Sequence, residues 1–291
     1  MEDVLFTGAA TALVTPFLNG KINFPMVEQL LKRQIDAGIR TIVLSGTTGE
    51  SATLSDQEKL ELVARAKAYT GDSCQILAGT GSNDTRHALA LSQAAQAAGA
   101  DGLLVVTPYY NKATAEGLVA HYSTIAAGVE LPIVLYNVPS RTGVDMSVAV
   151  CQCLSQLPNI VGIKEASTDM VKICQLHQQC PPNFGIWSGN DDLIAPVMAL
   201  GGKGVISVLS NLLPEVTQAL AQAALAGDFD TAADLQGRLL PLIQALFRQV
   251  NPIPVKAAMK LLGYDCGPCR LPLTPLPLEQ RAELKKLLSQ W

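Results

Sequence analysis

Strand-like and helix-like segments alternate along most of this chain, and that alternation constrains its fold more than any other feature. The unit repeats roughly every 25 to 30 residues, which is the size of a strand, a helix and two short loops. Eight short stretches have the length and the branched apolar residues of buried strands. They lie at residues 10–15, 41–45, 75–78, 102–106, 132–136, 160–164, 185–187 and 204–208.

Amphipathic stretches that predict helices separate these strands, at residues 26–37, 57–69, 84–98, 116–127 and 170–179. Ser55 and Glu58 have the spacing of a capping box, which marks the start of a helix. Eight strands that are each followed by a helix predict an α/β fold of the (β/α)8, or TIM-barrel, type. An open doubly wound sheet more often stops at about five or six strands.

The pattern changes near residue 226, where helices follow one another without strands at 229–250, 254–262 and 278–290. The segment 266–277 contains four prolines and predicts an extended connector. We therefore expect a (β/α)8 catalytic barrel over residues 1–225 and a C-terminal helical domain over residues 226–291.

Composition narrows the class of protein. Hydrophobic residues make up 48% of the chain and charged residues 16%, which supplies a packed core. A formal net charge of -4 offers no basic field to nucleic acid or anionic lipid, and the apolar runs are shorter than the ~20 residues of a membrane helix. The acidic start, Met1 to Asp3, does not resemble a secretion signal. We expect a cytoplasmic protein that binds neither nucleic acid nor membrane.

The cysteines and histidines give no sign of a disulfide framework or a metal site. Seven cysteines, an odd number, are typical of reduced thiols. Cys266 and Cys269 have the spacing of a redox dithiol, but their Pro-rich surroundings favour two thiols in an ordinary loop. His87, His121 and His177 lack the spacing of metal ligands, so we expect no metal ion.

Polar residues follow several of the predicted strands, at 45–50, 107–111, 136–143 and 164–165. In a barrel of this type the reacting groups lie at the carboxyl ends of the strands, so these segments predict the site. Alternation along the strand places Lys164 inward with Ile160 and Gly162, and Val161 and Ile163 outward. Burial disfavours the charged form of an amine and exposes the neutral nucleophile, which forms a Schiff base with a carbonyl.

Neighbouring polar residues suit the same chemistry. Tyr136 points inward on the adjacent strand and can move protons, whereas Arg141 offers a planar fork to a carboxylate. Residues 46–49 combine backbone amides with two hydroxyls. Each residue also has a plainer interpretation: Lys164 reaching water or pairing with Glu165, Tyr136 filling space, Arg141 solvated, and residues 46–49 forming only a tight turn.

Together these motifs resemble the dihydrodipicolinate synthase and N-acetylneuraminate lyase family of pyruvate-dependent class I aldolases. The resemblance covers essentially the whole chain and rests on residues 11–17, 46–50, 107–111, 136–143, 162–165 and 251–256. It implies the condensation of pyruvate with L-aspartate 4-semialdehyde, which opens the lysine and diaminopimelate branch. It also implies that the reaction needs no metal or organic cofactor.

The resemblance implies a role for each site residue. Lys164 would form the Schiff base, and Tyr136 would carry protons, linked through Thr47 to Tyr110, which in this family reaches into a partner subunit's site. Substrate binding would fall to four residues: Thr48 for the pyruvate carboxylate, Arg141 for the semialdehyde carboxylate, and Gly189 and Ile206 as lining. A homodimer at least is implied, most often assembled as a homotetramer.

Family members that L-lysine inhibits bind it at a dimer interface. This chain matches that pattern at Ser51, Ala52, Asn83 and Tyr109. His87 replaces the glutamate that pairs with the ligand's amine, and Asp56 and Lys59 replace two histidines. An imidazole cannot supply the missing negative charge, so we predict weak or absent lysine inhibition.

Three rival functions stay open from the sequence. A Schiff-base lyase of sialic acid or a 2-keto-3-deoxy sugar acid shares the fold, but Arg141 favours a substrate with a second carboxylate. A noncatalytic keto-acid sensor would form no covalent adduct. A phosphate-binding barrel would depend on residues 201–204, which precede the eighth strand, whereas such loops usually follow strands seven and eight.

Overall fold

Eight parallel strands form a closed barrel in the computed structural model, which describes residues 4–291. Met1 to Asp3, on which the expectation about a secretion signal rests, lie outside the described residues. Each strand pairs with the next along the chain, and the last closes on the first. The strands are β1 Gly8–Ala12, β2 Thr41–Leu44, β3 Gln75–Gly79, β4 Gly102–Val106, β5 Ile133–Asn137, β6 Ile160–Glu165, β7 Gly185–Ser188 and β8 Gly204–Ser207.

Helices surround this barrel and continue beyond it. They are α1 Phe24–Asp36, α2 Asp56–Thr70, α3 Thr85–Ala97, α4 Ala115–Ala127, α5 Pro139–Thr142, α6 Val148–Leu154, α7 Met170–Gln179, α8 Ile194–Ala199, α9 Pro214–Leu225, α10 Phe229–Leu246, α11 Ile253–Leu261 and α12 Leu278–Leu288. The predicted (β/α)8 fold with C-terminal helices is thus confirmed. The predicted capping box is also present, because Ser55 and Glu58 satisfy each other's backbone amides at the start of α2.

Three details differ from the sequence predictions. The short helices α5, α6 and α8 and a two-stranded hairpin, Phe17–Leu18 with Lys21–Ile22, were not predicted, because segments of this length carry little periodicity. The first strand was predicted at residues 10–15 but spans Gly8–Ala12. After Ala12 the chain leaves the ladder with β8, and the Val14 amide donates instead to the Asn211 side chain at 3.1 Å.

Two apolar clusters divide the core. The outer cluster fills the space between the strands and the helices, and the inner cluster fills the barrel. Trp187 is the largest inner side chain, and it is fully buried. Its ring stacks on Phe6 with the centroids 4.6 Å apart, and its indole N–H donates to the Phe6 carbonyl at 3.2 Å. The segment before β1 therefore closes part of the barrel interior.

Glycines on two adjacent strands make room for this indole. A Cβ atom on Gly162 would lie 2.5 Å from the Trp187 ring and 2.2 Å from the Gly185 carbonyl oxygen. A Cβ atom on Gly185 would lie 2.4 Å from the same ring. The Gly185 backbone and the buried Trp187 ring can move aside only at a cost in free energy. A larger side chain at Gly162 or Gly185 would therefore strain both strands.

A β-bulge near the start of β6 corrects one prediction. Consecutive residues of β5 pair with Ile160 and Gly162, which leaves Val161 as an extra residue. The prediction that Ile160 faces inward and Val161 outward is therefore wrong: Ile160 packs in the outer cluster and Val161 against the inner one. From Gly162 onward the predicted alternation holds, with Ile163 in the outer cluster.

The C-terminal helices pack onto the barrel helices. Helix α9 contacts β1 and β8, whereas α10 packs against α8, α9 and α12. The predicted division near residue 226 falls between α9 and α10 and stays a prediction. Over the described part of the chain, none of the helices combines the length and the apolar character that crossing a membrane requires.

We predict that Gly162→Ala lowers the free energy of unfolding by more than about 2 kcal/mol, because its methyl group has no space beside Trp187. Gly237→Ala is the matched control. Gly237 is exposed inside α10 with no atom within 4 Å of an added Cβ, so this change raises stability by about 0.5 to 1 kcal/mol. Denaturant unfolding of both variants measures these changes. Equal stability of the two variants would contradict the packing account.

Candidate active site

Lys164 lies inside the barrel beside Tyr136. The two residues pair directly in the register of β5 and β6, and the Lys164 Nζ atom lies 4.4 Å from the centre of the Tyr136 ring. Lys164 is only 5% exposed and Tyr136 is 6% exposed. A lysine that reaches water is therefore excluded, and the ring face provides the contact instead.

The neighbouring Glu165 points to the other side of the strand and is already paired. Its carboxylate accepts from Asn137 Nδ2 at 2.9 and 3.0 Å and lies 3.0 Å from Lys172 Nζ. Burial opposes the charge on Lys172, but Glu165 and Asp145 outweigh this effect and raise its pKa. Glu165 is thus not the partner of Lys164. The Asn137 contact also ties the ends of β5 and β6 together, which fixes Tyr136 beside Lys164.

The loop after β2 is held in a constrained conformation. Ser45 and Glu50 have φ angles of 54° and 58°, in the left-handed region that residues with a Cβ rarely adopt. Between them, Thr47 is half-buried and Thr48 is 2% exposed. The Thr15 hydroxyl donates to the Gly49 carbonyl at 2.7 Å, which ties this loop to the loop that follows β1.

The C-terminal region supplies the other supports of this loop. Asn251 Nδ2 donates to the Thr48 hydroxyl at 2.9 Å. Lys256 Nζ donates to Glu50 Oε1 at 2.8 Å, and the second Glu50 oxygen accepts from the Arg270 amide at 2.8 Å. Both charged groups of the Lys256–Glu50 pair are buried, so each depends on the other.

A cavity of about 650 Å³ opens over these residues. Near the barrel it is lined by Thr47, Tyr136, Arg141 and Asn251. Its other end is lined by residues of α2, of α3 and of the loops after β2, β3 and β4, among them Ser51, Ala52, Ser55, Asp56, Lys59, Ser82, His87 and Tyr109. The cavity therefore joins the predicted reaction site to the predicted regulatory site within one chain.

The remaining predicted site residues lie outside the lining of this cavity, and they include Lys164 and Thr48, which are buried beside its lining residues Tyr136 and Asn251. Ile206 is buried in the inner cluster, and the Gly189 amide donates to the Glu165 carbonyl at 2.7 Å. The Asn83 carbonyl accepts from Asn111 at 2.9 Å. Tyr110 is 89% exposed and has a φ angle of 74°. Its side chain thus faces away from the site of its own chain.

Three polar side chains, those of Asp56, Lys59 and His87, meet at the far end of the cavity. His87 Nε2 lies 2.7 Å from one Asp56 oxygen, and Lys59 Nζ lies 3.5 Å from the other. The hydrogen bond from His87 lowers the pKa of the Asp56 carboxyl. The Asp56 charge is therefore already engaged by two groups of its own chain.

Comparison with known proteins identifies the family. The profile of the dihydrodipicolinate synthetase family matches residues 5–291. The chain belongs to this family. The 4-hydroxy-tetrahydrodipicolinate synthase of Acetivibrio thermocellus is 44% identical to it over 291 residues, which is 100% of this chain and 99% of the relative.

Two solved structures show the same likeness. The chloride-inhibited dihydrodipicolinate synthase of Acinetobacter baumannii, complexed with pyruvate, has a TM-score of 0.95 and 41% identity, with 98% of each chain covered. The enzyme of Cyanidioschyzon merolae with lysine bound has a TM-score of 0.96 and 38% identity, covering 99% of this chain and 98% of that one. The resemblance seen in the sequence motifs is thus confirmed at the level of the family.

Sequence reasoning gave no role to two buried residues near the candidate site, Asn251 and Asp191. Asn251 belongs to a motif block, but its contact with Thr48 joins residues 203 positions apart. Asp191 is 1% exposed, and one of its oxygens accepts from the Val208 and Leu209 amides at 3.0 and 2.9 Å. Burial raises the pKa of this carboxyl. The position of Asp191 just after β7 is the signal that would have identified it.

Two alternatives from the sequence find no support in the structure. Burial raises the pKa of the Cys266 thiol to about 12 and that of Cys269 to about 11, so both thiols lack the acidity of a redox pair. All seven cysteines lie within the described residues and are free. Residues 201–204 form the turn between α8 and β8, before the strand rather than after it, which does not suit a phosphate site.

We predict that Lys256→Met destabilises the chain by about 3 to 5 kcal/mol, because it leaves the Glu50 carboxylate buried without its cation. Thermal and denaturant unfolding measure this loss. The double variant Glu50→Leu, Lys256→Met is the control, and it should recover part of the stability because neither charge remains buried. Additive losses in the double variant would show that the two charges act independently.

Proposed function

We propose that this chain is a 4-hydroxy-tetrahydrodipicolinate synthase, a lyase that condenses pyruvate with L-aspartate 4-semialdehyde. The observation that carries the proposal is the buried Lys164 amine at the carboxyl ends of the strands, packed against the ring of Tyr136, which lines the cavity. Relatives of this name that align over the whole chain support it. The reaction is the first step of the lysine and diaminopimelate branch.

The chemistry follows from these two residues. The neutral Lys164 amine attacks the keto carbon of pyruvate, and loss of water from the carbinolamine gives an iminium ion. Tyr136 gives and takes the protons that these steps require. The iminium withdraws electrons, so the pyruvate methyl group loses a proton to form an enamine. The enamine carbon then attacks the aldehyde of the second substrate.

Binding of the two substrates divides between two parts of the cavity. The Thr48 hydroxyl and amide hold the pyruvate carboxylate, and the Arg141 guanidinium holds the carboxylate of the semialdehyde. The presence of Arg141 in the lining favours this substrate over a neutral sugar chain. Gly189 and Ile206 shape the floor of the site. The reaction uses no metal ion or organic cofactor.

The proton relay continues through Thr47 to Tyr110 of a second copy. The 89% exposure of Tyr110 on a left-handed turn supports this role, because such a tyrosine is free to enter a partner's site. The enzyme is then at least a homodimer, and a homotetramer when two dimers pair. The seven free thiols support a cytoplasmic location.

The central prediction concerns a covalent adduct. Borohydride reduction in the presence of pyruvate should add one pyruvate-derived mass to the peptide that contains Lys164, because reduction converts the imine into a secondary amine that no longer hydrolyses. Lys164→Ala should abolish both the adduct and turnover, whereas Lys203→Ala, at the turn before β8, should retain both. Mass spectrometry of digested protein measures this. A labelled lysine other than Lys164 would refute the assignment, and complete lack of label would favour the keto-acid sensor.

Regulation by L-lysine should be weak or absent. The relative from Cyanidioschyzon merolae was solved with lysine bound, so lysine binding is a property to test in this chain. Here the Asp56 carboxylate is already paired with His87 and Lys59, so it does not replace the missing glutamate as a partner for a ligand's ammonium group. Lys59 lines the cavity and adds a repulsive charge.

We predict an inhibition constant for L-lysine above about 1 mM, which corresponds to a binding free energy weaker than about 4 kcal/mol. Steady-state assays of pure enzyme with both substrates measure it. His87→Glu with Lys59→His is the matched gain-of-function variant, and it should bind lysine more tightly because it restores negative charge and removes a cation. An inhibition constant well below millimolar in the unaltered enzyme would contradict the prediction.

A further inference from the structure

Asn251 contacts the loop to which we assign pyruvate binding, although it comes from the distant C-terminal region. It is 6% exposed, lines the cavity, and donates through Nδ2 to the Thr48 hydroxyl oxygen at 2.9 Å. The other amide atom, Oδ1, is buried and has no hydrogen-bond partner among residues 4–291. The contact with Thr48 is therefore the one that orients this side chain.

The direction of this hydrogen bond determines what Thr48 can do. A hydroxyl group carries one proton to donate and two lone pairs that accept. Because Asn251 fills one of the lone pairs, the Thr48 proton is left to donate elsewhere. The Thr48 hydroxyl donates to no acceptor among the described residues, so a substrate carboxylate bound beside it would accept this proton.

The C-terminal region also fixes Asn251 itself. Asn251 lies two residues before the first residue of α11, and Lys256 of that helix binds Glu50 at 2.8 Å. Helix α11 and the residues that lead into it thus contact the same loop at two points, Thr48 and Glu50. The buried ion pair between Lys256 and Glu50 therefore helps to fix the position of the hydrogen bond between Asn251 and Thr48.

We infer that Asn251 is a positioning residue that turns the Thr48 hydroxyl into a hydrogen-bond donor for the substrate carboxylate. The inference rests on the proposed function, because it assumes that Thr48 binds pyruvate. It assigns an indirect part in substrate binding, through Thr48, to the C-terminal helical region. It also predicts that loss of Asn251 affects pyruvate rather than the aldehyde.

Asn251→Ala should raise the pyruvate concentration that half-saturates borohydride adduct formation by about tenfold, the value of one hydrogen bond to a charged group. The KM for the semialdehyde should stay within about twofold. In the Thr48→Val background, Asn251→Ala should have little further effect, because the hydroxyl that it orients is gone. Additive losses in this cycle, or equal losses for both substrates, would overturn the inference.

Asn251→Asp keeps the size of the side chain and separates orientation from packing. Both of its oxygens accept, so it would take the Thr48 proton that the carboxylate needs. We expect pyruvate binding at least as weak as in Asn251→Ala. Unchanged pyruvate binding in the Asp variant would refute the inference even if the Ala variant failed to fold. Failure of the unaltered protein to form any adduct would instead refute the proposed function.

Discussion

The packing of the Lys164 amine against the Tyr136 ring is the contact around which the rest of this molecule is arranged. An ammonium or amine group inside a closed barrel loses its water, and the ring face is the polarisable surface that replaces it. Glu165 does not compete for this contact, because its side chain lies on the opposite side of β6, where it binds Asn137 and Lys172.

Backbone features on two strands, β6 and β7, make this contact possible. The bulge at Val161 sets the register that brings Lys164 opposite Tyr136. Gly162 and Gly185 leave the space that the Trp187 indole fills, and this ring packs the interior next to the lysine strand. The floor of the site is thus apolar and filled, so reactive groups are confined to the open end of the barrel.

Much of this arrangement could be predicted from the sequence. Alternating strand and helix signals gave the barrel because each unit repeats the same local pattern eight times. The inward positions of Lys164 and Tyr136 followed from the period of two along a strand. The same rule failed at Ile160, because a bulge adds one residue without a clear sequence signal. The period of two therefore predicts which side chains point into the barrel only along stretches of strand that contain no bulge.

The side-chain contacts that hold the loop after β2, to which we assign pyruvate binding, could not be predicted from local patterns. Asn251 and Lys256 reach Thr48 and Glu50 across 203 and 206 residues, and no local periodicity encodes such pairs. Their motif block signalled that the residues matter but not what they contact. The roles proposed for Tyr110 and for the degenerate regulatory residues depend on a second copy of the chain.

The central claim is that one buried amine captures pyruvate while the loop after β2 holds its carboxylate. The most direct measurement is a crystal structure of the enzyme after borohydride reduction with pyruvate. The account predicts continuous density from Lys164 Nζ to the second carbon of pyruvate, with the carboxylate at the Thr48 hydroxyl and the Tyr136 phenol beside the new bond. An unmodified Lys164, or a carboxylate bound at Arg141 instead, would contradict it.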